Sequence, residues 1–224
     1  MIRKKRGYSR QTPKNLLKDY KLFAIACEGG KREPNYFRTF EYISNRIKVD
    51  IIEDKVQDNE LYHHFETKSA PKWVLDRAVK YIEQEGLIDE DELWFIIDVD
   101  NWQKNQIYQM IDFCDENDNW NIVLSNPCFE VWLYLHHKED FENYSFKNCK
   151  ELKQLISELD VHGYEPYRYI KKIKRAALNA RAIDQDPNAS FPYNNNTKVY
   201  KLVDSLFNFI SEDQFNEFCK KKRF

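Results

Sequence analysis

Five carboxylates sit where apolar runs give out, and they carry the chemistry of this chain. CEGGKREPNYF follows the apolar run 21–26 directly, with Glu28 as its second residue and Glu33 soon after. In WFIIDVD, Asp98 and Asp100 end a second run, and in LSNPCFEVWLYLHH, Glu130 lies just beyond Ser125, Asn126 and Pro127. Carboxylates gathered at neutral pH repel one another, so either their pKa values rise or a cation holds them. Oxygen-only ligands select Mg²⁺, Mn²⁺ or Ca²⁺, and no His/Cys set stands at zinc spacing. Mg²⁺ keeps waters and takes substrate phosphates at its remaining positions. A divalent ion between acid and phosphate therefore explains a glutamate ahead of Gly29 and Gly30, whose bare backbone turns tightly and comes close to substrate. One acid after a strand is commonly a solvated loop residue or a cap. Acids on two strand ends with a third close by favour a metal site.

The elements that must position these acids are legible in the hydrophobic pattern. Continuous apolar runs at 21–26 and 93–97 fit strands buried on both faces, as in a parallel sheet. Shorter strands are expected at 49–53 and 121–124. Between them lie helical patterns. One opens at Pro34 and carries Tyr36, Phe37, Phe40, Ile43 and Ile47; another runs from Ser69 and Pro71 to Gly86; a third carries Ile107, Met110, Ile111 and Cys114. This β-α alternation predicts an α/β fold, a parallel four-stranded sheet flanked by helices. Asn126–Pro127 reads as the start of a helix with Glu130 in its first turns. In an open parallel sheet ligands bind beyond the carboxyl ends of the strands, where Glu28, Glu33, Asp98, Asp100 and Glu130 can converge. The expected organisation is a basic N-terminal arm (1–18), an α/β catalytic core (19–140) and a C-terminal helical region packed on it (141–224), broken around 186–196 where Pro, Asn and Ser cluster.

Composition bounds the function. The chain of 224 residues is 42% hydrophobic, 15% aromatic and 32% charged, enough for a core and far from low complexity. A formal net charge of -2 gives no global basic field, so nucleic acid must be gripped by local patches. Five cysteines without a CxxC pair, and no leader pattern, predict a reducing cytoplasm and buried, inert thiols, Cys27 and Cys128 included. No apolar run approaches the ~20 residues of a membrane span.

CEGGKREPNYF, WFIIDVD and LSNPCFEVWLYLHH, in that order, with NNNTKVYKLVDSL near the C-terminus, resemble the RloB-like family, whose core is a Toprim domain. The resemblance covers most of the chain. It implies a Toprim-like, Rossmann-like sheet in which the first-strand glutamate handles protons and the DxD pair holds Mg²⁺ or Mn²⁺. Those roles fall on Glu28, Asp98 and Asp100, with Glu28 also able to ligate the ion, and Glu33 and Glu130 become supporting or second-metal ligands. The resemblance further implies a nuclease effector of phage-defence loci, beside an ATPase partner. DNA, structured RNA and tRNA all remain open as substrates, as does formation of a homo-oligomer. The chain departs from the family pattern at Arg32, where a threonine usually precedes the second glutamate, at Val99, often basic, and at Asn101, often acidic or charged. Arg32 is expected to add positive charge near a phosphate. A binding or sensor module that keeps the fold without cutting is the alternative. A dehalogenase-type phosphotransferase fits less well, because its DxD lies on the first strand with a hydroxyl residue soon after, and here Trp102 follows.

Basic stretches complete the expectations. YRYIKKIKRAALNAR reads as one helix with Ile170, Ile173, Ala177 and Ala180 on its buried face. Lys171, Lys172 and Arg175 form either a phosphate-tracking surface, with Tyr167 or Tyr169 to stack on bases, or a solvated face. Arg3, Lys4 and Arg6 of the N-terminal arm are candidates to grip a nucleic-acid backbone. His137, seven residues after Glu130, is either a catalytic or phosphate-contacting group or a histidine placed by the helix dipole.

Overall fold

Alternate residues of the first apolar run bury themselves on opposite faces, which is what a strand's two-residue period imposes when both faces are covered. The computed structural model describes residues 20–53, 71–100, 102–137 and 145–221. In it β1 (Lys21–Cys27) sends Phe23, Ile25 and Cys27 to one side and Ala24 and Ala26 to the other. β1 is followed by α1 (Arg32–Arg38), β2 (Ile47–Ile51), α2 (Pro71–Glu85), β3 (Glu92–Asp98), α3 (Lys104–Cys114) and β4 (Trp120–Asn126). These four strands pair in parallel in the order β2-β1-β3-β4. The chain is thus an α/β protein with a mostly parallel, Rossmann-like sheet flanked by helices. α2 and α3 cover one face, where Val74, Ala78, Ile107 and Met110 meet Phe95, Ile97 and Leu124.

The other face is covered by α1 and by the C-terminal helices: α4 (Glu130–Tyr134), α5 (Cys149–Leu159), α6 (Pro166–Ile170), α7 (Ile173–Ile183), α8 (Tyr200–Phe207) and α9 (Glu212–Lys220). Phe209 sets its ring edge-on to Phe23 of β1 at 6.0 Å, and its carbonyl accepts from Ser44 Oγ. A fifth strand, β5 (Asn196–Thr197), pairs antiparallel with the end of β4. A buried ion pair pins it. Lys198 Nζ donates to both oxygens of Asp184 at 2.7 Å and to the Asp186 carbonyl at 2.6 Å, and the Tyr200 hydroxyl donates to Asp184 as well. Burial raises the Asp184 pKa, but the Lys198 and Tyr200 bonds outweigh it and hold the carboxyl below its usual range.

Several local expectations are corrected. The helix opening near Pro34 is short: Phe40 lies in a 3₁₀ turn (Thr39–Tyr42), and Ile47 starts β2, two residues earlier than the predicted strand. Pro127 does not begin a helix: its peptide to Asn126 is cis, and α4 starts at Glu130. The basic stretch is two helices with a break at Lys171 and Lys172, although Ile170, Ile173, Ala177 and Ala180 are all buried as expected. Cys128 and Cys149 form a disulfide, where separate thiols were expected. Among the described residues no helix is long and apolar enough to cross a membrane.

Candidate metal centre

β1 and β3 are neighbours, so register alone brings their carboxyl ends together: Cys27 stands opposite Ile96, and the next residues are Glu28 and Ile97–Asp98. Glu28 Oε2 accepts the Asp98 backbone N–H at 3.0 Å, and Oε1 accepts the Trp102 indole N–H at 2.9 Å. Asp98 Oδ1 in turn accepts the Phe129 N–H at 2.8 Å, tying the loop after β4 to the end of β3. Val99 and Asp100 both donate their backbone N–H to the Pro127 carbonyl at 3.1 Å. The DxD turn is thereby locked against the β4 loop, with the Asp100 side chain left exposed.

Glu33 rises from the first turn of α1 and is buried. Its carboxylate occupies the space above Gly29, where a Cβ would lie 2.2 Å from Oε2. Gly29 thus makes room for the protein's own acid, a use different from the substrate approach expected of it. Neither Gly29 nor Gly30 adopts a positive φ.

These acids are under electrostatic load. Burial first, then Asp100 and Glu33, push the Glu28 pKa up to about 7 against the pull of its two hydrogen bonds. Burial and Glu130 push Glu33 to about 7, with Lys153 and Arg32 opposing. Asp98 is driven well above the usual carboxylate range by burial and by Glu33, Glu28 and Glu130 together. Three acids that resist losing their protons form a site short of positive charge, and hard oxygen donors suit Mg²⁺ or Mn²⁺. By this test Glu28, Glu33, Asp98 and Asp100 fit a divalent ion. They do not, among the described residues, bring three ligand oxygens within 4.8 Å of one another; the trio that does is Cys128, Glu130 and Cys149. The sulfurs of the trio are bonded to each other and offer no thiolate.

The structure does not bring every expected residue to this edge in its expected role. Arg32 Nη1 donates to Glu130 Oε1 at 2.6 Å, so the cation expected at a phosphate neutralises the buried acid expected at a metal. Cys149 Sγ lies 3.8 Å from the other Glu130 oxygen. His137 lies beyond α4, with its ring 5.2 Å from Tyr169, and α4 is too short for the shared helical face to hold. Tyr169 is buried with its hydroxyl on Asp160, unavailable for base stacking, while Tyr167 packs under the Lys171 ammonium at 5.6 Å. Lys171 Nζ donates to the Lys221 carbonyl. Lys172 and Arg175 are exposed. Arg3, Lys4, Arg6 and Asn101 lie outside the described residues. The Cys27 thiol is raised by burial and by Glu33, as suits inert packing. Sequence reasoning missed Trp102 as the clamp on Glu28. It also missed Arg77, which reaches from α2 to donate to the Cys27 carbonyl at 2.8 Å. A tryptophan two residues past the DxD was the available signal for the first; the second had none.

A parallel α/β sheet with carboxylates gathered beyond adjacent strand ends defines an α/β protein whose candidate site is an acidic strand edge. The chain belongs to the RloB-like family: the model of that family, described as RloB-like protein, matches residues 23–206. No curated protein and no solved structure matches the chain.

Proposed function

We propose that the protein is a divalent-metal-dependent nuclease with a Toprim-like core, cleaving phosphodiester bonds of DNA or RNA as an effector of anti-phage defence beside an ATPase partner. One observation carries the reading. Glu28 and Asp98, from adjacent parallel strands, are linked at 3.0 Å with Glu33 buried behind them, and all three have raised pKa values. A divalent ion bound there would supply the positive charge that polarises a scissile phosphate and its attacking water. Glu28 is the proton acceptor of this scheme: the Asp98 N–H and the Trp102 indole aim its carboxylate, and a base with a pKa near the working pH suits proton transfer. Asp98 and Asp100 hold the ion, Asp98 oriented by the Phe129 N–H. Glu33 adds charge from behind, and Glu130, bound to Arg32, acts as a support for the edge. Lys172 and Arg175 offer exposed charge to a nucleic-acid backbone.

A non-cleaving nucleic-acid-binding or sensor module is the second reading, favoured by the Arg32–Glu130 pair, which removes one acid from the set. A cleavage panel separates them. Purified protein is offered duplex DNA, single strands and tRNA with Mg²⁺ or Mn²⁺. Cleavage that stops in chelator supports the nuclease. Binding without cleavage on every substrate supports the module, and full activity in excess chelator overturns the metal.

A further inference from the structure

A polar cavity lies among the C-terminal helices. It has a volume of about 280 Å³, and its wall includes His136, His137, Asp160, Arg168, Tyr169 and Lys172. The turn after α5 shapes one side: Gly163, at φ 86°, donates its N–H to the Asp160 carbonyl, a left-handed position that suits glycine. Two wall groups are already committed. His136 Nδ1 lies 2.8 Å from the Trp132 carbonyl, which only accepts, so Nδ1 carries the proton and Nε2 accepts from the Tyr36 hydroxyl at 3.0 Å. Asp160 accepts from the Tyr169 hydroxyl at 2.7 Å.

Two others are not. His137 Nε2 is buried with no hydrogen-bond partner. Leaving such a group unpaired is costly, and with its own surface nearly closed it meets a ligand atom after a small turn of the ring. Lys172 is exposed and, among the described residues, forms no ion pair. Arg168 adds a second cation at the rim, shared with Glu165 at 2.6 Å. A cation does not suit this site. The histidines and Asp160 do not bring three ligand atoms within 4.8 Å of one another, and Lys172 and Arg168 already stand at the same wall as Asp160. Burial and the Lys172 ammonium lower the His137 pKa, and a neutral imidazole with its proton on Nε2 offers a donor there. A small group with several acceptor oxygens and negative charge answers both vacant partners at once.

We propose that this cavity binds a phosphate monoester, with the His137 Nε2–H and the Lys172 ammonium on its oxygens. The cavity is of nucleotide size or smaller, so the monoester is either a free nucleoside monophosphate or the terminal phosphate of a strand. The site is distinct from the acidic edge and does not depend on cleavage there.

The test measures binding to the full chain in chelator, where no metal-dependent reaction runs. The probes are AMP against adenosine, and a 5′-phosphorylated oligonucleotide against its 5′-hydroxyl twin. The phosphorylated member of at least one pair is expected to bind about tenfold more tightly, the worth of one charge-assisted bond. Lys172→Gln and His137→Ala should each shrink that preference severalfold. Lys174→Gln, on a lysine paired with Glu212 outside the cavity, should leave it unchanged. Preference in the AMP pair alone identifies the free nucleotide as the source; preference in the oligonucleotide pair identifies the strand end. No phosphate preference in either pair overturns the proposal, as does a preference that survives both Lys172→Gln and His137→Ala. Lys172 is exposed, so its variant is expected to fold, and the test stands even if His137→Ala does not.

Discussion

Replacing Glu33 by glutamine should stabilise the metal-free protein at pH 8, an unusual outcome for a buried residue. The sign follows from linkage. The Glu33 carboxyl has an ordinary pKa of 4.5, raised to about 7 in the fold. Between those values the folded chain holds more protons than the unfolded one, so stability falls as pH rises through the window. Each pKa unit is about 1.36 kcal/mol, which places the full penalty above pH 7 on the order of 3 kcal/mol. Glutamine keeps the shape above Gly29 and carries no charge. In chelator at pH 8, urea unfolding should therefore give Glu33→Gln a gain of up to that size, and at pH 4 almost none. Glu28 stays raised in the variant, because burial is its largest cause and Glu33 a lesser one, so the downward slope from pH 4.5 to 7 should shrink without vanishing. Mg²⁺ added to the wild type at pH 8 should recover stability, about 2.7 kcal/mol at a hundredfold excess over Kd, and less in the variant. A variant less stable than wild type at pH 8, with an unchanged pH slope, would refute the electrostatic account of this edge.

Other variants divide the roles. Glu28→Gln should lose cleavage roughly 10²–10⁴-fold yet still bind metal in a calorimetric titration, whereas Asp98→Asn should lose metal affinity first and recover in part with extra Mn²⁺. Equal loss of metal binding in both would make Glu28 a ligand. Gly29→Ala brings a Cβ onto the end of the Glu33 side chain, which must swing aside, and should weaken metal binding at a stability cost of about 1 kcal/mol or less; unchanged metal affinity would contradict the placement of Glu33 at the site. Lys198→Met strands buried Asp184 without its cation and should cost about 3–5 kcal/mol in chemical denaturation, and a loss below 1 kcal/mol would show the pair to be solvated.

The parallel strands were legible because continuous apolar runs have few other uses, and the acidic edge because strand ends in such sheets converge by topology. Glu28 and Asp98 needed nothing more than that rule, while Glu33 was found by its nearness to Glu28 in sequence and sits in the first turn of α1. What the pattern hid depends on partners distant in sequence. β5 is two residues long, and no periodicity exists over two residues. The Arg32–Glu130 pair joins residues 98 apart, so each was assigned to a ligand when each belonged to the other. The break at Lys171–Lys172 lies inside a stretch whose apolar spacing continues across it, because α6 and α7 bury neighbouring faces. The Cys128–Cys149 bond, like the choice of Trp102 for Glu28, is decided in three dimensions.

The antiparallel strand at 196–197 has a consequence for how the protein is made. Synthesis delivers β1–β4 and their acids well before Lys198 meets Asp184 and before Phe209 covers Phe23. Until then the part of that face under α8 and Phe209 is open to water, and the edge of β4 has unpaired backbone groups. A ribosome stalled near residue 190 would hold a chain with every acid of the edge and no closed face over β1. Folding is thus tied to the translation of α8 and Phe209, and products cut short of them should go to chaperones or aggregates in preference to persisting as active fragments.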